Sequence, residues 1–162
     1  MPSAVYPFGD VLALARQSWL DEMASRLEAR GYPGYHRSDA AALRLLARGP
    51  LAVGQFGAAL GITRQAARKT AAGLQQRGYA TTARDPHDAR QLNITLTPAG
   101  HDYAQAMTAV IAELNRDVAS RADPAQLAAA DTVLRAALFD DSTQQRAHQL
   151  PRPRSPGQSE QL

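Results

Sequence analysis

The sequence contains no cysteine and no long apolar run. Without cysteine, the chain cannot form disulfides, sense redox state through a thiol or bind zinc through thiolates. No apolar segment approaches the roughly 20 residues of a membrane-spanning helix, and the N-terminus lacks the basic start and apolar core of a signal peptide. We therefore expect a cytoplasmic protein with no membrane partner.

Aromatic residues are also scarce, at 6% of the 162 residues, and alanine supplies much of the 44% hydrophobic content. Ala-rich helices pack closely, but each buries little apolar area, so a monomer would be weakly stabilised. The length corresponds to one domain, or to a small domain with helical extensions. A core shared between two copies of the chain is therefore expected.

The sequence lacks the residue groupings of an enzyme as well. It has no Ser/His/acid grouping, no paired carboxylates in a pocket-like context and no phosphate-cradling glycine loop. Its histidines are scattered and form no metal-ligand set: His36, His87, His101 and His148. We therefore expect no catalytic activity, no cofactor and no metal.

Positive charge, by contrast, is concentrated in the middle of the chain. Residues 40–100 carry eight basic and two acidic side chains, a net charge of +6, whereas the rest carries ten basic and thirteen acidic ones, a net charge of −3. Such a basic segment is the footprint of a surface that neutralises phosphates. The alternative is a solvated basic face without a partner, but the charges fall on a helix and a loop tip that the pattern exposes together.

Residues 61–96 combine the parts of a DNA-reading unit. Thr63 can cap a helix that begins with Arg64, and Gly78 can end it, because glycine readily takes the positive φ of a helix C-terminus. Two alternating runs and a charged loop between them follow: residues 79–84, 91–96 and 85–90. A helix, a stop and a polar-tipped hairpin predict the recognition helix and wing of a winged helix-turn-helix.

The residues before this unit predict the helices that support it. Ser38 is expected to cap a helix over residues 39–47, and a short helix is expected over residues 52–60. Gly61 would form the turn, and Ile62 would fill the core before the recognition helix. A helix, a tight glycine turn and a second helix have the spacing of a helix-turn-helix.

Helical spacing separates two faces of residues 64–77. One face is expected to pack against the preceding helices: Ala67, Thr70, Ala71 and Leu74. On the other face, Gln65 and Arg68 are suited to base edges, since Arg offers a bidentate fork to guanine and Gln does the same for adenine. Thr63, Arg64 and Lys69 are better suited to phosphates.

In the loop of the hairpin, Asp88 and Arg90 are two residues apart. The acid can orient the guanidinium while the arginine enters a narrow minor groove, where the negative potential is enhanced. The alternative is an exposed salt bridge that contributes little. The complete predicted DNA-binding set is Thr63, Arg64, Gln65, Arg68, Lys69, Arg84, His87, Asp88 and Arg90.

Long amphipathic helices flank the winged unit. The first is expected from Asp10 onward, another from Thr97 and Pro98 to about Ala119, and a third after Asp123, which with Gln126 can form a capping box. These helices exceed what the small winged unit needs, so they predict a dimerisation arm. The residues expected at the dimer interface are Leu12, Trp19, Leu127, Leu134 and Leu138.

The predicted fold class is mainly α with a small β-hairpin wing, a winged helix-turn-helix domain flanked by N- and C-terminal dimerisation helices. The expected boundaries are a mobile leader over 1–9, an N-terminal dimerisation helix and turn over 10–36, the DNA-binding domain over 37–97, C-terminal dimerisation helices over 98–141 and a frayed or disordered tail over 142–162.

The order of these features resembles the MarR family of bacterial transcription regulators. That family's pattern is a hydrophobic-rich helix-turn-helix, a wing containing Asp-x-Arg and a Leu-Thr-x-x-Gly exit into a long helix. Here the three parts are Leu60-Gly61-Ile62-Thr63, Asp88-Ala89-Arg90 and Leu96-Thr97-Pro98-Ala99-Gly100. The resemblance, over residues 12–138, implies a homodimeric repressor with interleaved first and last helices that binds a pseudopalindromic double-stranded DNA operator.

The resemblance also implies a small aromatic or acidic effector, bound between the dimer arm and the winged domain. Trp19, Tyr32, Tyr35 and His36 lie near where that crevice would fall. Packing around a helix–helix turn remains open for each of them. For the whole protein, the alternative function is a winged-helix module that binds another protein, although such a module would not need a basic recognition helix and wing tip.

Overall fold

The computed structural model describes residues 6–85, 91–148 and 150. In this part of the chain, seven helices and three short strands follow one another: α1 Phe8–Glu28, α2 Asp39–Leu46, β1 Leu51–Ala52, α3 Val53–Leu60, α4 Arg64–Gln76, β2 Ala80–Arg84, β3 Leu92–Leu96, α5 Pro98–Ala119, α6 Pro124–Ala136 and α7 Asp141–His148. The chain divides into two compact units, Met1–Ala112 and Glu113–Leu162, and α5 belongs to both. The predicted fold class is confirmed: the protein is mainly helical with a small β wing.

The helix-turn-helix of the first unit consists of α3 and α4. Helix α3 ends at Gly61, whose φ of 66° is the left-handed conformation that favours glycine. Thr63 then caps α4, because its Oγ1 accepts a hydrogen bond from the Ala66 amide at 3.2 Å. The two helices approach closely, and a Cβ added at Gly57 would lie 3.2 Å from the Ala67 Cβ. The predicted cap and turn are thus confirmed.

The wing is a three-stranded antiparallel sheet with the order β1-β3-β2. Ile94 of the central strand is buried and pairs with Leu51 on one side and Thr82 on the other. The sequence predicts only β2 and β3, the two runs of a hairpin, and it assigns Ala52 to a helix. A two-residue strand has no periodicity of its own, so β1 can be recognised only from its partner.

The core of the first unit lies where α2, α3, α4, α5, the sheet and the end of α1 meet. Its largest fully buried side chains are aliphatic and aromatic, with one carboxylate among them: Tyr103, Phe56, Leu27, Leu43, Leu46, Leu74, Ile94, Met107, Val110 and Asp39. The face predicted for α4 is confirmed, since Ala67, Ala71 and Leu74 are buried. Ile62, expected in the core, is 37% exposed.

The expected cap of α2 is wrong. Ser38 has helical backbone angles (φ −77°, ψ −19°), whereas a capping side chain normally comes from an extended residue, and Ser38 makes no capping hydrogen bond. The Asp39 Oδ2 accepts a hydrogen bond from the His36 amide, in the turn before the helix, at 3.1 Å. A buried carboxylate thus ties the start of α2 to the turn that precedes it.

In the second unit, the capping box predicted for α6 is confirmed. The Gln126 amide donates to Asp123 Oδ1 at 2.8 Å, and the Asp123 amide donates to Gln126 Oε1 at 3.0 Å. Where the sequence predicts a frayed tail, the chain forms α7. Asp140 explains the difference, because its Oδ1 accepts hydrogen bonds from the Thr143 amide and the Ser142 hydroxyl at the start of that helix.

Two expectations concern the ends of the chain. Helix α1 begins at Phe8, two residues before the predicted start at Asp10. Residues 1–5 of the expected leader, with residues 149 and 151–162 of the expected tail, lie outside the described part. Among the described residues, no helix combines the length and apolarity that crossing a membrane requires.

Candidate nucleic-acid interface

The exposed face of α4 carries a compact set of polar side chains. Arg64, Gln65, Arg68 and Lys69 are all exposed, while Ala67 between them faces the core. No acidic residue lies in the first turn of α4, so nothing on the helix itself neutralises the positive charge there. This arrangement can present bidentate donors to base edges and cations to phosphates.

A polar cleft of about 360 Å³ extends this face from the start of α4. Arg64 lines it together with the first turn of α3 and the first residues of the returning wing strand: Ala52, Val53, Gly54, Gln55, Gln91 and Leu92. Because the free amides of a helix N-terminus and a guanidinium both attract anions, the cleft extends the surface on which a phosphate backbone could lie. The sequence alone does not indicate this contribution of α3.

The base of the wing is held by two hydrogen bonds across the hairpin. The Asp85 amide donates to the Gln91 carbonyl at 3.0 Å, and Asn93 Nδ2 donates to Asp85 Oδ2 at 2.8 Å. Arg84, at the end of β2, is exposed beside them. The other predicted wing residues, His87, Asp88 and Arg90, lie outside the described residues.

Arg77, counted in the sequence among the basic charges of the middle segment, does not belong to the exposed set. Its Nη1 and Nη2 donate to the two oxygens of Asp39 at 2.8 and 2.9 Å, and the Asp39 side chain is only 1% exposed. Nη1 also donates to the Gly34 carbonyl at 3.2 Å, and Nε donates to the Gly73 carbonyl at 3.1 Å. The cation is therefore neutralised inside the protein.

Tyr103 of α5 completes this cluster. Its hydroxyl donates to Asp39 Oδ2 at 2.9 Å, and its side chain is fully buried. Burial, followed by the negative charge of Asp39, raises the pKa of the Tyr103 hydroxyl far above its ordinary value, so the group remains a neutral donor. The hydrogen bond to Asp39 is likewise the main cause of the raised pKa of Arg77.

Aromatic rings cover the cluster on two sides. Tyr103 stacks on Tyr32 with ring centroids 5.1 Å apart and packs against Tyr79 at 4.5 Å. The Arg77 guanidinium lies 5.5 Å from the centroid of the Tyr79 ring. The sequence does not predict this cluster, because Asp39 and Arg77 are far apart in the chain and no spacing rule connects them.

The four residues suggested for an effector site lie in different surroundings. Tyr32 stacks on Tyr103, as described. The Tyr35 hydroxyl lies 3.9 Å from the Met23 Sδ, and burial raises the pKa of Tyr35, with Asp39 adding to this effect and Arg16 opposing it. Trp19 is half-buried on α1, and His36 is exposed. The structure therefore gives Tyr32 a packing role.

A second cleft, of about 560 Å³, lies between α2 and α5. Four alanines line it, and Arg44, His101, Gln105 and Thr108 supply polar groups. The sequence does not indicate this cleft, since small residues on a helix face carry no distinctive signal. Among the described residues, no group of three His, Asp or Glu side chains could hold a metal ion.

Apolar side chains are exposed in each unit. In the first, α1 buries only Met23 and Leu27, and it exposes Val11 at 44%, Leu12 at 39% and Leu14 at 71%. In the second, α6 has no buried residue, and Val133 and Leu134 are 51% and 45% exposed. Leu127 and Leu138 are half-buried. A single chain thus leaves part of both helices uncovered.

The arrangement of helices and wing is similar to that of several solved structures. A probable transcriptional regulator from Pseudomonas aeruginosa is 24% identical, with 78% of this chain and 93% of that one covered and a TM-score of 0.65. The PcaV transcriptional regulator from Streptomyces coelicolor, in complex with its natural ligand, is 22% identical, with 85% and 97% covered and a TM-score of 0.65. MepR from S. aureus, in a DNA complex, is 18% identical, with 83% and 100% covered and a TM-score of 0.66.

The winged segment itself matches a family model. Residues 34–91, which contain α2, α3, α4 and the start of the wing, match the model of the MarR family. None of the curated proteins compared with the chain matches it. The winged segment is thus similar to the MarR family, and the helices and wing share the fold of these solved structures.

Proposed function

We propose that the protein is a homodimeric repressor that binds a pseudopalindromic double-stranded DNA operator through α4 and the wing. The observation that carries this proposal is the exposed face of α4, with Arg64, Gln65, Arg68 and Lys69 outward and Ala67, Ala71 and Leu74 inward. Because its target is DNA, we propose that it acts in the cytoplasm. The DNA complex of MepR supports this use of the fold.

The residues of this face divide into two roles. Gln65 and Arg68 are proposed to read base edges, because their planar groups can form two hydrogen bonds to one base. Thr63, Arg64 and Lys69 are proposed to contact phosphates around the start of α4. Arg84 and, from the sequence, His87, Asp88 and Arg90 are proposed to carry contacts of the wing.

Dimerisation is proposed because α1 and α6 each expose an apolar face. Covering such a surface contributes roughly 25 cal/mol per Å² of apolar area, and a two-fold partner offers an identical patch. A two-fold dimer would place two recognition helices about one DNA turn apart, roughly 34 Å, so that both enter successive major grooves. The contributors proposed are Leu12, Trp19, Leu127, Leu134 and Leu138.

We further propose a small aromatic or acidic effector near Tyr35, and the ligand complex of PcaV supports such a use of the fold. The charge of Arg16 acts on the Tyr35 hydroxyl, so an anion placed there would meet a cation and a ring. Trp19, Tyr32 and His36 are proposed to line or flank the site. Thermal melting curves with simple aromatic acids such as benzoate test this proposal. If none of these acids changed the melting temperature, the proposal would be contradicted.

The DNA-binding function is tested by fluorescence anisotropy with labelled random duplex DNA. We expect association in the micromolar range that weakens steeply between low and moderate salt, because phosphate neutralisation releases counterions. Duplexes recovered by selection from a random pool should bind far more tightly and show two-fold symmetry. A winged-helix module that binds only protein would give no association at either salt concentration, and that result would contradict the proposal.

The base-reading role of Arg68 gives a sharper expectation. Arg68→Ala should weaken binding to the selected operator by about 1–3 kcal/mol and affect random DNA much less. Lys69→Ala is the matched control: as a phosphate contact, it should weaken binding to both DNAs equally and lower the salt slope by about 1. Equal losses on the two DNAs for Arg68→Ala would show that Arg68 contacts only phosphate.

A further inference from the structure

The Asp39–Arg77–Tyr103 cluster joins three parts of the first unit. Asp39 is the first residue of α2, Arg77 follows directly after the recognition helix α4, and Tyr103 lies on α5. The segment between α1 and α2 is attached as well, through the Gly34 carbonyl and the His36 amide. These side-chain hydrogen bonds span long stretches of sequence, with separations of 38 and 64 residues.

The geometry of Arg77 leaves it little capacity to bind DNA. Four hydrogen bonds occupy its guanidinium: one from Nε to Gly73, two to Asp39 and one to Gly34. A guanidinium has five N–H donors, so nearly all of them are used inside the protein. The bond to the Gly73 carbonyl also closes the last turn of α4, so the side chain fixes the C-terminal end of that helix.

We propose that Arg77 is a positioning residue for DNA recognition: anchored by Asp39 and Tyr103, it holds the C-terminal end of the recognition helix against α2 and α5 without touching DNA. This inference rests on the proposed DNA-binding function. A bidentate pair between a guanidinium and a carboxylate fixes direction as well as distance. Base reading depends on that orientation, whereas contact with random DNA tolerates small rotations of the helix.

Variants that remove single parts of the cluster test this role. Arg77→Lys keeps the positive charge but loses the bidentate guanidinium, and Arg77→Met removes both. Tyr103→Phe removes only the hydroxyl and keeps the stacked ring. Arg121→Met, at an exposed position of the second unit, is the matched control for a lost charge. For each variant, the affinity is measured for the operator selected by the unsubstituted protein and for random duplex DNA, over a range of salt concentrations. The temperature is one at which urea titration shows the variant to be folded.

We expect Arg77→Lys and Arg77→Met to lower operator affinity by about tenfold, and Tyr103→Phe to lower it by less. For all three variants, the affinity for random duplex and the salt dependence of binding should be unchanged. Asp39→Asn combined with Arg77→Met should lose no more than Arg77→Met alone, because the two act as one unit. Arg121→Met should bind like the unsubstituted protein.

Two results would overturn the inference while leaving the DNA-binding function intact. If the folded variants keep full operator affinity, the cluster contributes only to stability. If the Arg77 variants bind both DNAs more weakly by the same factor and with a smaller salt dependence, Arg77 is a phosphate contact. Failure of the unsubstituted protein to bind any selected duplex would overturn the proposed function, and this inference with it.

Discussion

Removing residues 122–162 is expected to give monomeric or insoluble protein that no longer binds its operator specifically. The truncation deletes α6, whose side chains are all at least partly exposed in the single chain, including Val133 and Leu134. If these side chains form the dimer interface, the loss leaves one recognition helix per molecule. Light scattering at micromolar concentration and footprinting on the selected operator measure the two effects.

A point substitution on α6 separates lost pairing from a damaged fold. Leu134→Glu places a charge in the proposed interface, whereas Thr132→Glu places the same charge at another exposed position of the same helix. We expect only the first to shift the protein towards monomer, and removal of residues 151–162 alone to change little. A protein truncated at Ala122 that remained dimeric and protected both half-sites would show that α6 is not the dimerisation element.

The sequence predicted the recognition helix well because a helix with one buried face has a strong periodic signal. Ala67, Ala71 and Leu74 recur at intervals of three or four residues, and they are the residues that α4 buries. Thr63 and Gly61 are likewise local signals, since capping and positive φ depend on a few neighbouring residues. These features need no knowledge of tertiary structure, so the face that offers Arg68 could be identified in advance.

Pairings between distant residues could not be predicted in the same way. From the sequence, Arg77 is expected to be one more cation at the end of a basic helix. The buried Asp39 that neutralises it lies 38 residues away in the chain. Strand β1 was missed for a related reason, since Leu51 and Ala52 become a strand only by pairing with Ile94 and Asn93. In both cases a partner that is distant in sequence, and not the local pattern, determines whether the residue is neutralised or forms a strand.

Gly100→Ala is expected to lower the free energy of unfolding by about 3 kcal/mol, at the upper end of the range for overpacking. A Cβ at this position would overlap the carbonyl oxygen of Tyr79, and backbone atoms cannot move aside as a flexible side chain can. Thr97 fixes this contact, because its amide donates to the same Tyr79 carbonyl at 3.1 Å and its Oγ1 donates to the Gly78 carbonyl at 2.7 Å. Urea unfolding measures the change.

The contact explains physically why a Leu-Thr-x-x-Gly sequence suits the exit from the wing. Thr97 Oγ1 also accepts from the Gly100 amide at 3.0 Å, so one side chain caps α5 and ties it to the end of the recognition helix, while the glycine permits the approach. Gly73→Ala is the matched control: open space surrounds Gly73 inside α4, and alanine should stabilise the helix by up to about 1 kcal/mol. If Gly100→Ala were as stable as the unsubstituted protein, α5 would not be held against Tyr79, and the connection between wing and long helix would have to be looser than the structure describes.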